Sequence, residues 1–406
     1  MAGVVATNTT LTRPTSVAAH PVSAQAGGLS GRPLTARAAE VVALVRDRAG
    51  DALAVIGSGG VMDVDDALAL SDAGADLVQV YTGLVYGGPA LVRRIAAEPR
   101  RGPARGPLGR RGRRERRGGR VRHFGLRLQE ATDRLGTLCV GVDPHPPLLA
   151  EWGLPDDADG LARFADACVE AFAGQVAVVK PQSAFFERHG SRGVAVLERL
   201  LADLRGTGTL SLLDVKRGDI GSTMQAYADA YLRDDAPLAA DAITVSPFLG
   251  AGSLAPALDL ARATGRGVFV LALTSNAEGP GVQHAVPAGG GSVAGDVVAT
   301  VAARNAGLDG VPARPGDVGL VVGATVGDAV QRLGLDLAAS GAPLLAPGLG
   351  AQGATVDDLA GVFGAAAHLV LPTSSRDLLR HGPTPGPLRE AGQALAARCS
   401  AALRHP

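Results

Sequence analysis

From residue 137 onward, short apolar runs alternate with longer amphipathic stretches. The runs are 137–142 (TLCVGV), 175–180 (QVAVVK), 209–214 (TLSLLD), 242–246 (AITVS), 267–273 (GVFVLAL), 317–322 (DVGLVV), 343–346 (PLLA) and 367–371 (AHLVL). Each is short, bounded by turn residues, and apolar on consecutive positions. That is the pattern of parallel strands buried on both faces. Eight such strands with helices between them, within residues 123–402, predict an α/β fold of the (β/α)8 or TIM-barrel type.

The texture changes twice along the chain. Residues 1–98 read as globular and α/β-like. Residues 99–122 (PRRGPARGPLGRRGRRERRGGRVR) carry eleven arginines and no hydrophobic period, so a disordered, cationic linker is expected there. Three domains follow: 1–98, 99–122 and 123–402.

A barrel of this kind places its chemistry at the C-terminal ends of the strands. Those ends are charged here. Val142 is followed by Asp143, Pro144 and His145, and the second run ends in Lys180-Pro181-Gln182. The third continues as Asp214-Val215-Lys216-Arg217-Gly218-Asp219, and the fifth as Thr274-Ser275-Asn276. Lys and Arg together number 39, yet only Lys180 and Lys216 are lysine. Where nearly every cation is arginine, a lysine points to a site that needs a transferable proton. Both fall at strand ends. Asp214 and Lys216, two apart on a strand, share a side and hold each other ionised. A structural ion pair closing the barrel is the plainer reading of that pair alone. The Pro347–Gly353 run (PGLGAQG) suits an anion, because glycines let backbone N–H groups approach it, and Arg376 can add a bidentate guanidinium.

Residues 123–402 resemble the bacterial type 2 form of the orotidine 5′-phosphate decarboxylase family. The matching motifs are FGLRL (124–128), GVDPH (141–145), VVKPQSAFFERHG (178–190), LLDVKRGDIGSTM (212–224), DAITVSPFLG (241–250), FVLALTSN (269–276), APGLGAQG (346–353) and SSR (374–376). The Asp-x-Lys-x-x-Asp core is shared with hexulose-phosphate synthases and ketogulonate-phosphate decarboxylases, so a sugar-phosphate lyase is an alternative. The resemblance implies decarboxylation of orotidine 5′-monophosphate to uridine 5′-monophosphate in pyrimidine biosynthesis, with no metal and no organic cofactor. It implies Lys216 as proton donor to C6 of the pyrimidine and Asp214 beside the departing carboxylate. Lys180 would complete a Lys–Asp array and touch the ribose, and Asp143 would bind a ribose hydroxyl. Asp219, Ile220 and Thr223 would reach into a partner subunit's site, making a homodimer. Ser275 would bond the pyrimidine, and Gln352, Gly353 and Arg376 would hold the phosphate. Ala277 stands where the family pattern leads one to expect proline.

Residues 1–98 resemble the C-terminal part of class 2 dihydroorotate dehydrogenases. The motifs are VVATNTT (4–10), AGGLSGRPL (26–34), AVIGSGGVMDVDDAL (54–68) and ADLVQVYTGLVYGGPALVRRI (75–95). That resemblance would place Gly59, Gly60, Tyr81, Thr82 and Gly83 at a flavin phosphate, with Asn8 and Thr9 near orotate. The earlier strands and the catalytic base of that family are missing, and the segment contains no lysine. It reads as a vestige joined to its pathway neighbour by gene fusion or frameshift. A bifunctional enzyme is the alternative.

Other classes find little support. Net charge is zero, and the arginine tract carries no interleaved aromatics, so no specific nucleic-acid partner is expected. No long apolar run suggests a membrane span. Cys139, Cys168 and Cys399 form neither a disulfide framework nor a zinc pattern, and a cytoplasmic setting is expected.

Overall fold

The computed structural model describes residues 3–20, 23, 27–50, 53–97, 122–306, 315–350 and 353–404. The chain divides into two compact units, residues 1–117 and 118–406. Most of the predicted linker, 99–121, lies outside the described residues.

The first unit holds a three-stranded parallel sheet of β1 (Gly3–Ala6), β2 (Ala54–Ser58) and β3 (Leu77–Gln79), in that order. Helices Thr35–Ala49 and Val64–Asp72 pack beside it. Asp63 caps the second by accepting from the Asp66 N–H at 3.0 Å. Ala6, Ala38, Val42, Val55, Val61, Ala67 and Leu70 make a small core. Val5 and Leu77 remain 55% and 56% exposed, so the two outer strands of this sheet each leave an apolar side chain uncovered.

The second unit is a closed barrel of eight parallel strands in sequential order. They are β4 (Cys139–Val142), β5 (Val178–Pro181), β6 (Leu210–Arg217), β7 (Ala242–Val245), β8 (Gly267–Leu273), β9 (Val318–Val322), β10 (Leu344–Pro347) and β11 (Val370–Ser374). All eight predicted runs contribute a strand. The boundaries shift by up to three residues: β5 begins at Val178 rather than 175, β6 runs on to Arg217, and residues 367–369 belong to a 3-10 helix, Gly364–Leu369, with the last strand extending instead into Thr373 and Ser374. Ala367 and Leu369 are buried in either state, so apolar pattern alone could not separate them.

Alternate residues of each strand face two cores. Leu138, Val140 and Val142 pack outward against the helices, whereas Cys139 joins Leu210, Leu212, Phe269, Val321, Leu345 and Leu371 inside the barrel. Phe124, on helix Phe124–Leu135, meets Phe269 edge to face with centroids 5.9 Å apart. Gly319 leaves room for that ring, since a Cβ there would lie 2.4 Å from Phe269. A filled lower barrel leaves the polar ends of the strands as its open rim.

Candidate active site

Four charged side chains meet at the ends of β4, β5 and β6. Lys180 Nζ lies 3.2 Å from Asp214 Oδ2 and 3.9 Å from Asp143 Oδ1. Lys216 Nζ lies 2.6 Å from Asp214 Oδ1. Asp214 also accepts from Gln182 Nε2 at 2.9 Å and from the Thr244 hydroxyl at 2.7 Å. Its two oxygens thus receive four donors, about the capacity of a carboxylate. Burial opposes charge on Asp214, but the ammoniums of Lys180 and Lys216 prevail and hold its carboxyl well below the usual range. Burial likewise opposes the Lys180 ammonium, and Asp143 and Asp214 outweigh it, so its pKa stands above the ordinary lysine value. Lys180 is nearly buried, while the Lys216 side chain is 47% exposed and open to a substrate.

The backbone at Lys216 is unusual. It is the one described non-glycine residue with positive φ, at 45°. Such a conformation costs on the order of 1–3 kcal/mol and persists where its surroundings enforce it. The cause is a bulge. Between the pairs Leu213–Ile243 and Arg217–Val245, β6 advances four residues (213 to 217) while β7 advances two (243 to 245). Arg217 anchors the far side, donating to the Tyr231 hydroxyl at 3.3 Å and pairing with Glu187 at 2.5 Å.

At the seam of β4 and β11, Asp143 Oδ1, Thr373 Oγ1 and Ser375 Oγ are buried without hydrogen-bond partners among the described residues. Gly141 makes this convergence fit, because a Cβ there would sit 2.7 Å from Ser375 Cβ and 3.2 Å from Asp143 Oδ2. Burial pushes the neighbouring Cys139 thiol up to about 12, so it stays protonated and is no nucleophile.

The remaining expected residues are more dispersed. Asp219 accepts from the Ile220 N–H at 2.8 Å, and no hydrogen bond or ion pair among the described residues joins it to Lys180, Asp214 or Lys216. Ile220 and Thr223 are exposed. Ser275, exposed in the loop after β8, sits against Gly323 at the end of β9, where an added Cβ would be 2.1 Å from its hydroxyl oxygen. Gln283 pins that loop by accepting from the Thr274 N–H at 2.9 Å. After β10, Gly353 donates to Gly350 O at 2.7 Å in a tight turn; Arg376 is exposed; Gln352 lies outside the described residues. His145 meets Phe185 edge-on with ring centroids 4.3 Å apart, and His189 lies 3.6 Å from Asp156. Gln182 and Thr244 join the site without having been singled out from the sequence. Their signal was the two-residue alternation that puts Lys180 and Gln182, and Ala242 and Thr244, on one face of each strand.

Cavities also lie elsewhere. One of about 440 Å³, lined by Leu128, Thr132, Thr137, Pro343, His368 and Ser400, opens at the opposite end of the barrel and contains none of the rim charges. Another, about 280 Å³, is in the first unit and is lined by Asn8, Thr9, Gly59, Gly60, Tyr81 and Thr82 among others. Gly83 does not line it; it packs on Val61, whose carbonyl oxygen a Cβ would meet at 2.1 Å. Gly60, at φ 75°, has no room for a side chain, since a Cβ would lie 2.3 Å from Thr35 N.

A closed (β/α)8 barrel with lysines and aspartates interleaved at its rim defines a class of acid–base site. Sequence comparison makes the assignment specific. The orotidine 5′-phosphate decarboxylase / HUMPS family model matches residues 136–379, and the chain belongs to that family. It is 60% identical over 280 residues to the orotidine 5′-phosphate decarboxylase of Salinispora arenicola, covering 69% of this chain and 98% of the relative. The Streptomyces coelicolor enzyme of that name is 58% identical over the same length, with the same coverage. Among solved structures, one from Streptomyces avermitilis assigned as orotidine 5′-phosphate decarboxylase aligns with a TM-score of 0.67 and 56% identity, covering 71% of this chain and 98% of its own. The Leishmania donovani OMP decarboxylase aligns at 0.53 with 30% identity, covering 70% of this chain and 99% of its own. The dihydroorotate dehydrogenase family model matches residues 1–100.

Proposed function

We propose that residues 123–402 convert orotidine 5′-monophosphate to uridine 5′-monophosphate and CO2, within pyrimidine biosynthesis. The observation that carries the reading is Asp214, fixed as a carboxylate between Lys180 and Lys216 at a barrel mouth. Loss of CO2 from C6 leaves a carbanion with no conventional electron sink. A preorganised ammonium stabilises that charge without solvent reorganisation and then delivers a proton to it. Lys216, the more exposed lysine, takes that part. Asp214 lies beside the departing carboxylate, where like charge disfavours the bound ground state and is relieved as CO2 leaves. Asp143 Oδ1, buried and without a donor, suits a ribose hydroxyl next to Lys180. Gln352, Gly353 and Arg376 hold the phosphate, and Ser275 closes on the pyrimidine. Binding energy from that remote phosphate supports closure over the reacting centre.

The working form in this reading is a homodimer in the cytoplasm. Asp219, Ile220 and Thr223 complete the site of a second copy. In support, Asp219 is unconnected to its own array, and Ile220, Phe248 and Leu249 are 61%, 79% and 53% exposed on the loops after β6 and β7. Among the described residues no helix is long and apolar enough to cross a membrane. The domain division is the one read from the sequence, with the working barrel beginning at His123. The 1–98 segment is a vestige of a flavin enzyme, with its cavity at Asn8, Thr9, Gly59, Gly60, Tyr81 and Thr82 as the remainder of that site.

The test is turnover of orotidine 5′-monophosphate by the purified protein in EDTA, following uridine 5′-monophosphate and CO2 together. No product would end the decarboxylase reading. Activity restored only by Mg2+, or only on a sugar phosphate, would turn it to the lyase alternative.

A further inference from the structure

We propose that Thr244 is a positioning residue that holds Lys216 in its reactive orientation, a role that rests on the decarboxylase reading above. Thr244 occupies a singular place in the barrel. It is the one β7 residue between Ile243 and Val245, the two that bracket the bulge of β6. Opposite it, the regular ladder is interrupted. The Thr244 hydroxyl oxygen accepts the Lys216 N–H at 3.0 Å. The same hydroxyl donates its proton to Asp214 Oδ1 at 2.7 Å, the oxygen that also receives Lys216 Nζ at 2.6 Å.

One hydroxyl therefore ties the backbone of Lys216 to the carboxylate that its side chain grips. A hydroxyl has one proton and two lone pairs, so it can serve both partners at once. Valine has the same shape and can serve neither. The plain alternative is a β-branched strand residue chosen to fill space. Thr244 is only 1% exposed, however, and a buried hydroxyl is retained at a cost unless its hydrogen bonds are used. Both of its bonds go to the reacting array. The left-handed backbone of Lys216, φ 45°, is the feature that it stabilises.

The experiment uses the full chain. In Thr244→Val, kcat on orotidine 5′-monophosphate is expected to fall at least ~10-fold, while KM and the binding of uridine 5′-monophosphate stay within about three-fold. Thr244→Ser, which keeps the hydroxyl, should stay within about three-fold of the wild-type kcat. In a crystal structure of the valine variant, Lys216 should leave its positive φ. A valine variant with wild-type kcat overturns the proposal, as does a serine variant no better than valine. Loss of uridine 5′-monophosphate binding in parallel with kcat also overturns it, because the damage would then be general. Should the valine variant fail to fold, Thr244→Ala against Thr244→Ser makes the same comparison. If the wild-type protein turns over no orotidine 5′-monophosphate, the decarboxylase reading fails by itself, and the Lys216 backbone in the variant still decides whether Thr244 positions it.

Discussion

Lys216 reaches back to Asp214, two residues earlier on the same strand, and its Nζ meets Oδ1 at 2.6 Å across a bulge. A regular strand sets such a pair side by side, with their side chains pointing the same way. The bulge and the left-handed backbone at Lys216 add a turn that brings the ammonium onto the carboxylate while leaving it 47% exposed. Asp214, with Lys180 on its other oxygen, is held as a carboxylate by the two ammoniums.

Replacing Lys216 by arginine keeps the charge and removes the transferable proton near neutral pH. Lys216→Arg should fold like the wild type, by circular dichroism and thermal midpoint, and lose nearly all decarboxylation. Retention of more than about a tenth of the wild-type rate would remove Lys216 as general acid.

The array also fixes a pH window. The Asp214 pKa is depressed below its unfolded value of about 3.9, so its contribution to stability is present above that value and lost as pH falls through the folded pKa. The Lys180 pKa is raised above about 10.4, so its contribution is full below that value and lost as pH rises through the folded pKa. Neither group titrates between about pH 6 and 9. Lys180→Met should destabilise the barrel by on the order of 3 kcal/mol, because it leaves buried carboxylates short of a cation. The gap between wild type and variant in urea unfolding should be the same at either end of that window. A gap that closes with rising pH would mean that Lys180 sheds its proton in the folded protein within the window.

The barrel was legible because its strands are buried on both faces and therefore read as unbroken apolar runs. The rim lysines were legible for a compositional reason: in a chain where arginine serves for ordinary surface charge, Lys180 and Lys216 stand out. The bulge was not. A left-handed lysine leaves no periodicity to read, and the glycine that usually marks such a position is absent. Thr244 was hidden for the same cause, since a threonine in a strand is ordinary until the strand beside it gains residues. The start of β11 was misplaced at residue 367 because a buried 3-10 helix and a buried strand share the same apolar composition.

Asp219 provides a test of assembly. Among the described residues no hydrogen bond or ion pair ties it to Lys180, Asp214 or Lys216, and Ile220 beside it is exposed. Lys216→Ala and Asp219→Ala proteins should each be inactive. Mixed under conditions of subunit exchange, they should regain activity, because one site of each mixed dimer keeps both residues. Mixtures as dead as their parents, with exchange shown by mass, would place the whole site within one subunit.

Residues 1–122 should be dispensable for decarboxylation. The eight strands, both lysines and the loops after β10 and β11 all lie in 123–404, and the barrel closes on itself without a strand from the first unit. The first unit has three strands, an apolar side chain uncovered on each outer one, and a small core built mainly from alanine and valine. A sheet whose edges and apolar face are left open is a poor folding unit and prone to association. A protein beginning at His123 should therefore be soluble and dimeric, with kcat/KM within about three-fold of the full chain. Full-length protein should show no flavin absorbance and no dihydroorotate oxidation. Residues 1–98 expressed alone should lack a cooperative thermal transition. Decarboxylation by the truncated and full-length proteins, measured side by side, decides the point. Loss of activity in a truncated barrel that still unfolds cooperatively would make the N-terminal unit part of the working enzyme, and bound flavin in the full chain would restore the bifunctional alternative.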